Sequence, residues 1–261
     1  MFDINSSTVV LCGGRGSRLG VITRETPKSL VKILGKPIIW YVIKFLIKNK
    51  INNIIFPLGY KGSLIKNYIT LNFKSHLNKF KFIYTGRDTE ITKRLIRIKK
   101  LIKKERDFLI LNSDTIYNFN LKKMIKEHNS SCKHITFAGT NTKSDWGSFV
   151  VSKKKLILKK FVKNKKLKFF ILDKYEKYFS FRNMGVSIIN SNCFNLLKNK
   201  NFLDFEKIIF NIYIKKKIAN FIYFNSFWYP VETAENINKT IRDKNIRMAI
   251  SNIKNKFNKV K

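Results

Sequence analysis

Gly13, Gly14, Gly16, Ser17, Arg18 and Lys28 have the types and spacing that handle a polyphosphate. Glycines without Cβ let successive backbone N–H groups face one concavity and hydrogen-bond phosphate oxygens. Ser17 is placed to cap a following turn, whose N-terminus adds partial positive charge. Arg18 contributes a two-pronged guanidinium and Lys28 a compact ammonium. A glycine-rich turn after a strand is by itself most often only a turn, so rival loops are weighed by spacing. A Walker A loop needs Gly-Lys-Ser/Thr after its second glycine, and Gly16 is followed by Ser17-Arg18. The dinucleotide fingerprint is nearly present as Gly14, Gly16 and Gly20, but the third glycine comes one place late. Its ribose-binding acid is also missing after the second strand, where Gly59-Tyr60-Lys61-Gly62 stands.

The elements that must position these residues follow from periodicity. Thr8–Cys12 is an apolar, β-branched run that reads as a buried strand feeding the loop through Leu11. A helix over about 37–48 has proline in its first turn and Ile38, Val42, Phe45 and Leu46 on one side. Strand Asn53–Leu58, helix Ser63–Leu71, strand Lys81–Tyr84, helix Thr92–Lys103 and strand Phe108–Asn112 continue the alternation. Such alternation gives a mainly parallel sheet covered by helices, with ligands at the carboxyl ends of the strands. Gly13, Gly59 and Asp114 all lie just past such ends, which predicts one crevice. After a helix near Leu121–Glu127, the segments Ile135–Gly139, Ser148–Val151, Leu156–Val162 and Val186–Asn190 read as strands of a mixed or antiparallel portion. Leu203–Lys216 and Ala234–Ile250 read as amphipathic helices, the first with an apolar side that serves either a subunit contact or the core.

With Thr23 and Pro27-Lys28 in register, the loop resembles the signature G-G-x-G-x-R-L-x-x-x-T-x-x-x-P-K of the sugar-phosphate nucleotidylyltransferases, which matches at eight fixed positions. Gly35-Lys36-Pro37-Ile38-Ile39-Trp40, Gly59-Tyr60-Lys61-Gly62, Thr85-Gly86 with Thr92 and Arg94-Leu95, Asn112-Ser113-Asp114, Trp146-Gly147, Asn183-Met184-Gly185 and Phe227 through Thr233 appear in that family's order. The glucose-1-phosphate cytidylyltransferases are the most similar branch, with G-K-P-I-x-W, G-Y-K-G and F-W-x-P-x-D-T segments.

The resemblance implies a Rossmann-like α/β fold with a smaller sugar-binding β portion, a single domain whose nucleotide half spans about 1–130 and whose sugar half spans about 131–261. It implies Mg²⁺-dependent transfer of a nucleotidyl group from a nucleoside triphosphate, CTP by likeness, to a sugar 1-phosphate such as glucose 1-phosphate. By the same resemblance Arg18 holds the β- and γ-phosphates, and Lys28 bridges the α-phosphate and the incoming sugar phosphate. Leu11, Asn112 and Ser113 join the glycine loop in lining the nucleotide.

Asp114 matches the first metal ligand, although an Asp just past a strand serves as readily as a turn or cap residue. Glu232 stands where the family has its second Asp, and the extra methylene moves the carboxylate by about 1.5 Å. Arg94 falls where the cytidylyltransferases carry an arginine in G-R-L-K-R, with Lys93 in place of the glycine; in so basic a chain a helix-surface arginine is equally a solvated charge. Lys61 either faces the nucleotide or decorates a tight turn. For the sugar, Gly147, Lys163, Asn183 and Gly185 are the matching positions. The family's F-x-E-K-P is here Phe161-Val162-Lys163-Asn164, so its hydroxyl-binding glutamate has no counterpart. The same chemistry with GTP or UTP and another sugar phosphate, or a non-catalytic nucleotide-binding paralogue, are the alternative readings.

A chain of 261 residues buries a full core as one large α/β domain. Its net charge of +38 points toward nucleic acid or an anionic surface. Yet Lys, Asn, Ile and Phe are enriched together, the mark of AT-rich codons. The basic run from Lys153 to Lys168 alternates with apolar residues as a half-buried edge or hairpin does. The aromatics, 14% of the chain, sit in apolar periodic segments and not among basic clusters, which argues against a nucleic-acid platform. No apolar stretch is long enough to span a bilayer, and no secretory leader is legible, so a cytoplasmic location is expected. Cys12, Cys132 and Cys193 give no disulfide or zinc pattern. A homo-oligomer is compatible with the sequence but not read from it.

Overall fold

The computed structural model describes residues 1–102, 106–141, 148–152, 157–162, 178–197 and 204–260. The first half of the chain runs β1 (Thr8–Leu11), α1 (Ile22–Glu25), a small hairpin of β2 (Lys32–Ile33) and β3 (Lys36–Pro37), α2 (Ile38–Lys48), β4 (Ile54–Leu58), α3 (Gly62–Asn72), β5 (Phe80–Tyr84), α4 (Ile91–Ile102) and β6 (Asp107–Asn112). The second half runs β7 (Thr115–Tyr117), α5 (Leu121–Ser131), β8 (Ile135–Thr140), β9 (Ser148–Ser152), β10 (Leu158–Val162), β11 (Tyr178–Asn190), α6 (Cys193–Leu196), α7 (Phe205–Lys215), β12 (Ala219–Tyr223), β13 (Trp228–Pro230), α8 (Ala234–Arg242) and α9 (Lys244–Asn258).

Among the described residues one mixed sheet carries nine strands in the order β10-β9-β11-β6-β1-β4-β5, with β8 on β11 and β12 on β8. The strands β6, β1, β4 and β5 are parallel, as helical crossovers require, and β11 turns the direction by pairing antiparallel with β6, β8 and β9. Alternate strand residues face opposite layers. Val10, Ile54, Phe56, Leu109 and Leu111 pack with α2, α5 and α9, while Val9, Ile55, Phe108 and Ile110 pack with α4, α6 and α7. The sheet is thus buried on both faces, which is why its strands read as continuous apolar runs.

Several details differ from the sequence reading. The strand expected over Val186–Asn190 begins at Tyr178. It absorbs Asn183-Met184-Gly185 as an irregularity, with Gly185 at φ 70 and a register shift against β8 between Asn183 and Ser187. The helix expected over Ala234–Ile250 is two helices. Asp243, in extended backbone, ends α8 and caps α9 by accepting from the N–H groups of Asn245 and Ile246. The apolar side of α7 faces the core through Phe205, Ile209, Phe210, Tyr213 and Ile214. Within the basic run, β10 is the terminal strand of the sheet, with Leu158 and Phe161 buried and Lys159 and Lys160 exposed. No helix among the described residues is long and apolar enough to cross a membrane.

Candidate active site

The crevice begins where β1 and β4 separate. Their ladder stops at Val9 against Ile55, two residues before Pro57, which has no N–H to give. The two chains meet again at Tyr60, whose N–H donates to the Gly13 carbonyl at 3.0 Å. Between these points the glycine loop turns. Gly16 takes φ 68, and a Cβ there would lie 2.7 Å from the Lys28 Cβ, so the lysine stem runs across this glycine. The left-handed backbone of Gly16 opens the short 3-10 turn Ser17–Leu19. Ser17 therefore lies inside the turn and does not cap it, contrary to expectation. Thr23 fastens the loop by donating from Oγ1 to the carbonyls of Gly16 (3.3 Å) and Gly20 (3.1 Å).

Lys28 and Asp114, 86 positions apart, meet at 2.6 Å between Nζ and Oδ2. The residues beside them are also joined, Ser29 Oγ to Ser113 Oγ at 2.8 Å, both buried. Glu232 reaches the same corner from β13, which pairs with β7 so that Pro230 faces Thr115 and the Val231 N–H donates to the Asp114 carbonyl at 2.8 Å. Asn236, in the first turn of α8, accepts from the N–H groups of Glu232 and Thr233, both at 3.0 Å, and so fixes Glu232 through the capping box of the helix. Arg18 Nη1 stands 3.7 Å from Glu232 Oε2.

Asp114 and Glu232 are hard oxygen donors on hydrogen-bonded neighbouring segments, and Asp114 lines the cleft with the glycine loop. That set fits a magnesium-type ion that completes its shell with phosphate and water. Among the described residues no cluster of three or more His, Cys, Asp or Glu is arranged to hold a metal.

The crevice is a cleft of about 480 Å³. Leu11, Gly13, Gly14, Gly16, Ser17, Arg18, Lys28, Arg94, Asn112 and Ser113 all line it, and Asp114 lies at the side toward β11. Cys12 also lines it, but burial pushes its thiol up to about 12, so it is a protonated, inert wall. The opposite wall is the loop from Arg87 to Ile91. Asp88 ties this loop to the glycine loop through Arg15, with Nη2 to Oδ2 at 2.8 Å.

Arg94, expected either at the nucleotide or as a solvated charge, lines the cleft and is not solvated. Only 3% exposed, it donates to the carbonyls of Gly13 (2.8 Å), Leu58 (3.2 Å), Gly86 (2.9 Å) and Arg87 (3.3 Å) and to Thr85 Oγ1 (2.7 Å). One guanidinium joins the ends of β1, β4 and β5. A Cβ at Gly13 or Gly59 would fall 2.4 or 2.3 Å from it, which explains both glycines. Burial lowers its pKa, yet a guanidinium stays charged. Lys61, at φ 48, points away from the cleft and donates to the carbonyls of Arg24 and Glu25.

Toward the sugar-side positions, Asn112, Asp114, Asn183, Gly185, Glu206 and Trp228 surround a small hollow continuous in residues with the cleft. Asn183 turns its Oδ1 onto the Gly185 N–H at 2.9 Å, and Gly185 leaves room for the Asn112 amide, 2.6 Å from where a Cβ would be. Trp228 Nε1 donates to the Met184 carbonyl at 2.8 Å and locks this bulge. Gly147 and Lys163 lie outside the described residues. Glu206, which sequence reasoning passed over, lines both the cleft and the hollow from the first turn of α7, which Asp204 caps. The available signal was its place two residues past a helix-capping Asp.

A family model described as Nucleotidyl transferase matches residues 7–233. The "Probable glucose-1-phosphate cytidylyltransferase" of Bacillus subtilis is 33% identical over 162 residues, covering 55% of this chain and 63% of that protein. The D-glycero-alpha-D-manno-heptose 1-phosphate guanylyltransferase of Campylobacter jejuni is 25% identical over 224 residues, covering 84% and 91%. Among solved structures, HddC from Yersinia pseudotuberculosis superposes with a TM-score of 0.71 at 19% identity, covering 91% of this chain and 98% of that one, and shares the fold.

Proposed function

Since the chain belongs to the nucleotidyl transferase family, we propose that it joins a nucleoside triphosphate to a sugar 1-phosphate, releasing pyrophosphate and an NDP-sugar. A sugar-phosphate oxygen attacks the α-phosphorus in line. The bond from that phosphorus to the bridging oxygen breaks, and pyrophosphate takes the electron pair. Both reactants are anionic, so the catalytic task is positioning and charge neutralisation. The backbone N–H groups of Gly13, Gly14 and Gly16 cradle the triphosphate, Arg18 holds its β- and γ-phosphates, and Lys28 neutralises charge between the α-phosphate and the sugar phosphate. Arg94 keeps the three strand-end loops at fixed spacing around the nucleotide. Asn183, Gly185 and Glu206 form the sugar side, Glu206 supplying the hydroxyl acceptor that Phe161-Val162-Lys163 lacks; Gly147 and Lys163 belong to this side by likeness. Asp114 and Glu232 would hold Mg²⁺, which when bound polarises phosphate oxygens and offsets their charge.

The observation that carries this reading is the convergence of Lys28 with Asp114 at 2.6 Å from segments 86 residues apart, Lys28 from a turn beyond α1 and Asp114 from just past the carboxyl end of β6. CTP is the favoured nucleotide because of the 33% identity to the cytidylyltransferase; the guanylyltransferase relative makes GTP the alternative. A soluble enzyme acting in the cytoplasm, where nucleotides and sugar phosphates are found, fits this chemistry. Replacing Lys28 by Ala should lower kcat by about 10²–10³ while the folded circular dichroism spectrum is kept. Undiminished turnover would refute the role given to Lys28.

A further inference from the structure

Lys28 and Asp114 are a built pair. Their side chains are 13% and 17% exposed, so water screens them little, and the pair lies at 2.6 Å. Its two backbones are registered by the Ser29–Ser113 hydroxyl bond, and the lysine stem is laid across Gly16. Asp114 is held from behind by the Val231 N–H. The second carboxylate, Glu232, has the Arg18 guanidinium 3.7 Å away. A divalent cation arriving alone must displace the ammonium from Asp114 or sit beside it, in a cleft that also holds Arg15, Arg87 and Arg94. A triphosphate carrying the same cation brings phosphate oxygens that accept Lys28 and Arg18 as the carboxylates release them.

We propose that Lys28 gates Asp114, so that a divalent cation gains this carboxylate only together with a triphosphate that takes the lysine over. The proposal rests on the reading of Asp114 as a metal ligand. It makes Lys28 a positioning residue toward the metal as well as a neutraliser of phosphate charge, and it makes the metal-nucleotide chelate the species that binds.

The test is electron paramagnetic resonance of MnCl₂ titrated into the full chain with no nucleotide present. Lys28→Gln, which keeps most of the stem and removes the charge, should bind free Mn²⁺ about tenfold or more tighter than the native chain. Lys28→Arg, which keeps the charge, should stay near the native affinity. Equal affinity in Lys28→Gln and the native chain, or equal tightening in Lys28→Arg and Lys28→Gln, would overturn the gate. Thermal melting checks that each variant is folded, and Lys28→Met gives the same comparison if the Gln variant is not. No turnover enters this measurement. A chain that releases no pyrophosphate yet shows the Mn²⁺ change would lose the proposed function and keep the gate, and the reverse result would do the opposite.

Discussion

Arg94 shows how a single side chain organises three loops. Lysine at this position keeps the charge but has one nitrogen where the guanidinium offers several directed N–H groups. Arg94→Lys should therefore leave buried carbonyls among Gly13, Leu58 and Gly86 unpaired, costing about 1–3 kcal/mol in urea unfolding. It should also raise KM for the nucleotide more than it lowers kcat, because the loops and not the reacting atoms are disturbed. A loss confined to kcat would contradict that role. The inward position of Arg94 was legible after the fact: it lies three residues past Ile91 and four before Ile98, on the apolar stripe of α4. Composition left it open, since arginine in a chain of +38 net charge reads equally as surface. Lys28 and Asp114 were legible by type and spacing, but their contact was not, because it depends on β1 and β6 lying side by side.

At the scale of elements, the glycine loop and the bulge of β11 do the positioning. Gly16→Ala places a Cβ at φ 68 and against the Lys28 stem. It should destabilise the fold by about 1–2 kcal/mol and depress kcat well beyond what that loss explains. If activity followed stability alone, the link from Gly16 to Lys28 would be wrong. The alternating strands and helices of the first half were legible because each element is long and strongly periodic. The β7–β13 pair that brings Glu232 beside Asp114 was not, since three-residue strands carry no period. Asn183-Met184-Gly185 falls outside the strand expected over Val186–Asn190 because asparagine and glycine are turn residues, and only the neighbouring ladders show that the strand runs through them.

For the molecule as a whole, charge and acid stability give independent checks. Asp107, 4% exposed at the start of β6, accepts from Asn190 Nδ2 at 3.0 Å and faces His128 Nε2 at 3.8 Å. Burial works to raise its pKa, but the neighbouring His128 ring and the hydrogen bond from Asn190 outweigh it and hold the carboxyl below the ordinary 3.8. A depressed folded pKa contributes stability that is present above the unfolded value and lost as pH falls through the folded one. Asp107→Asn should thus be less stable than the native chain at pH 7, with the gap closing below about pH 4 in urea titrations. A gap constant down to pH 2 would contradict this. The net charge of +38 should attract a triphosphate from a distance, so kcat/KM ought to fall as ionic strength rises while kcat changes little. That charge was plain in the sequence and decided nothing there; only the cleft gives it an anion to steer.

The central claim is that the chain joins a nucleoside triphosphate to a sugar 1-phosphate, and pyrophosphate release tests it most directly. The purified protein with Mg²⁺ is offered CTP, GTP, UTP, ATP and dTTP, each with glucose 1-phosphate and a small panel of other sugar 1-phosphates. The account predicts release that requires both substrates, fastest with CTP, and abolished in Lys28→Ala. Nucleotide binding without release from any pair would contradict it and make the chain a binding paralogue.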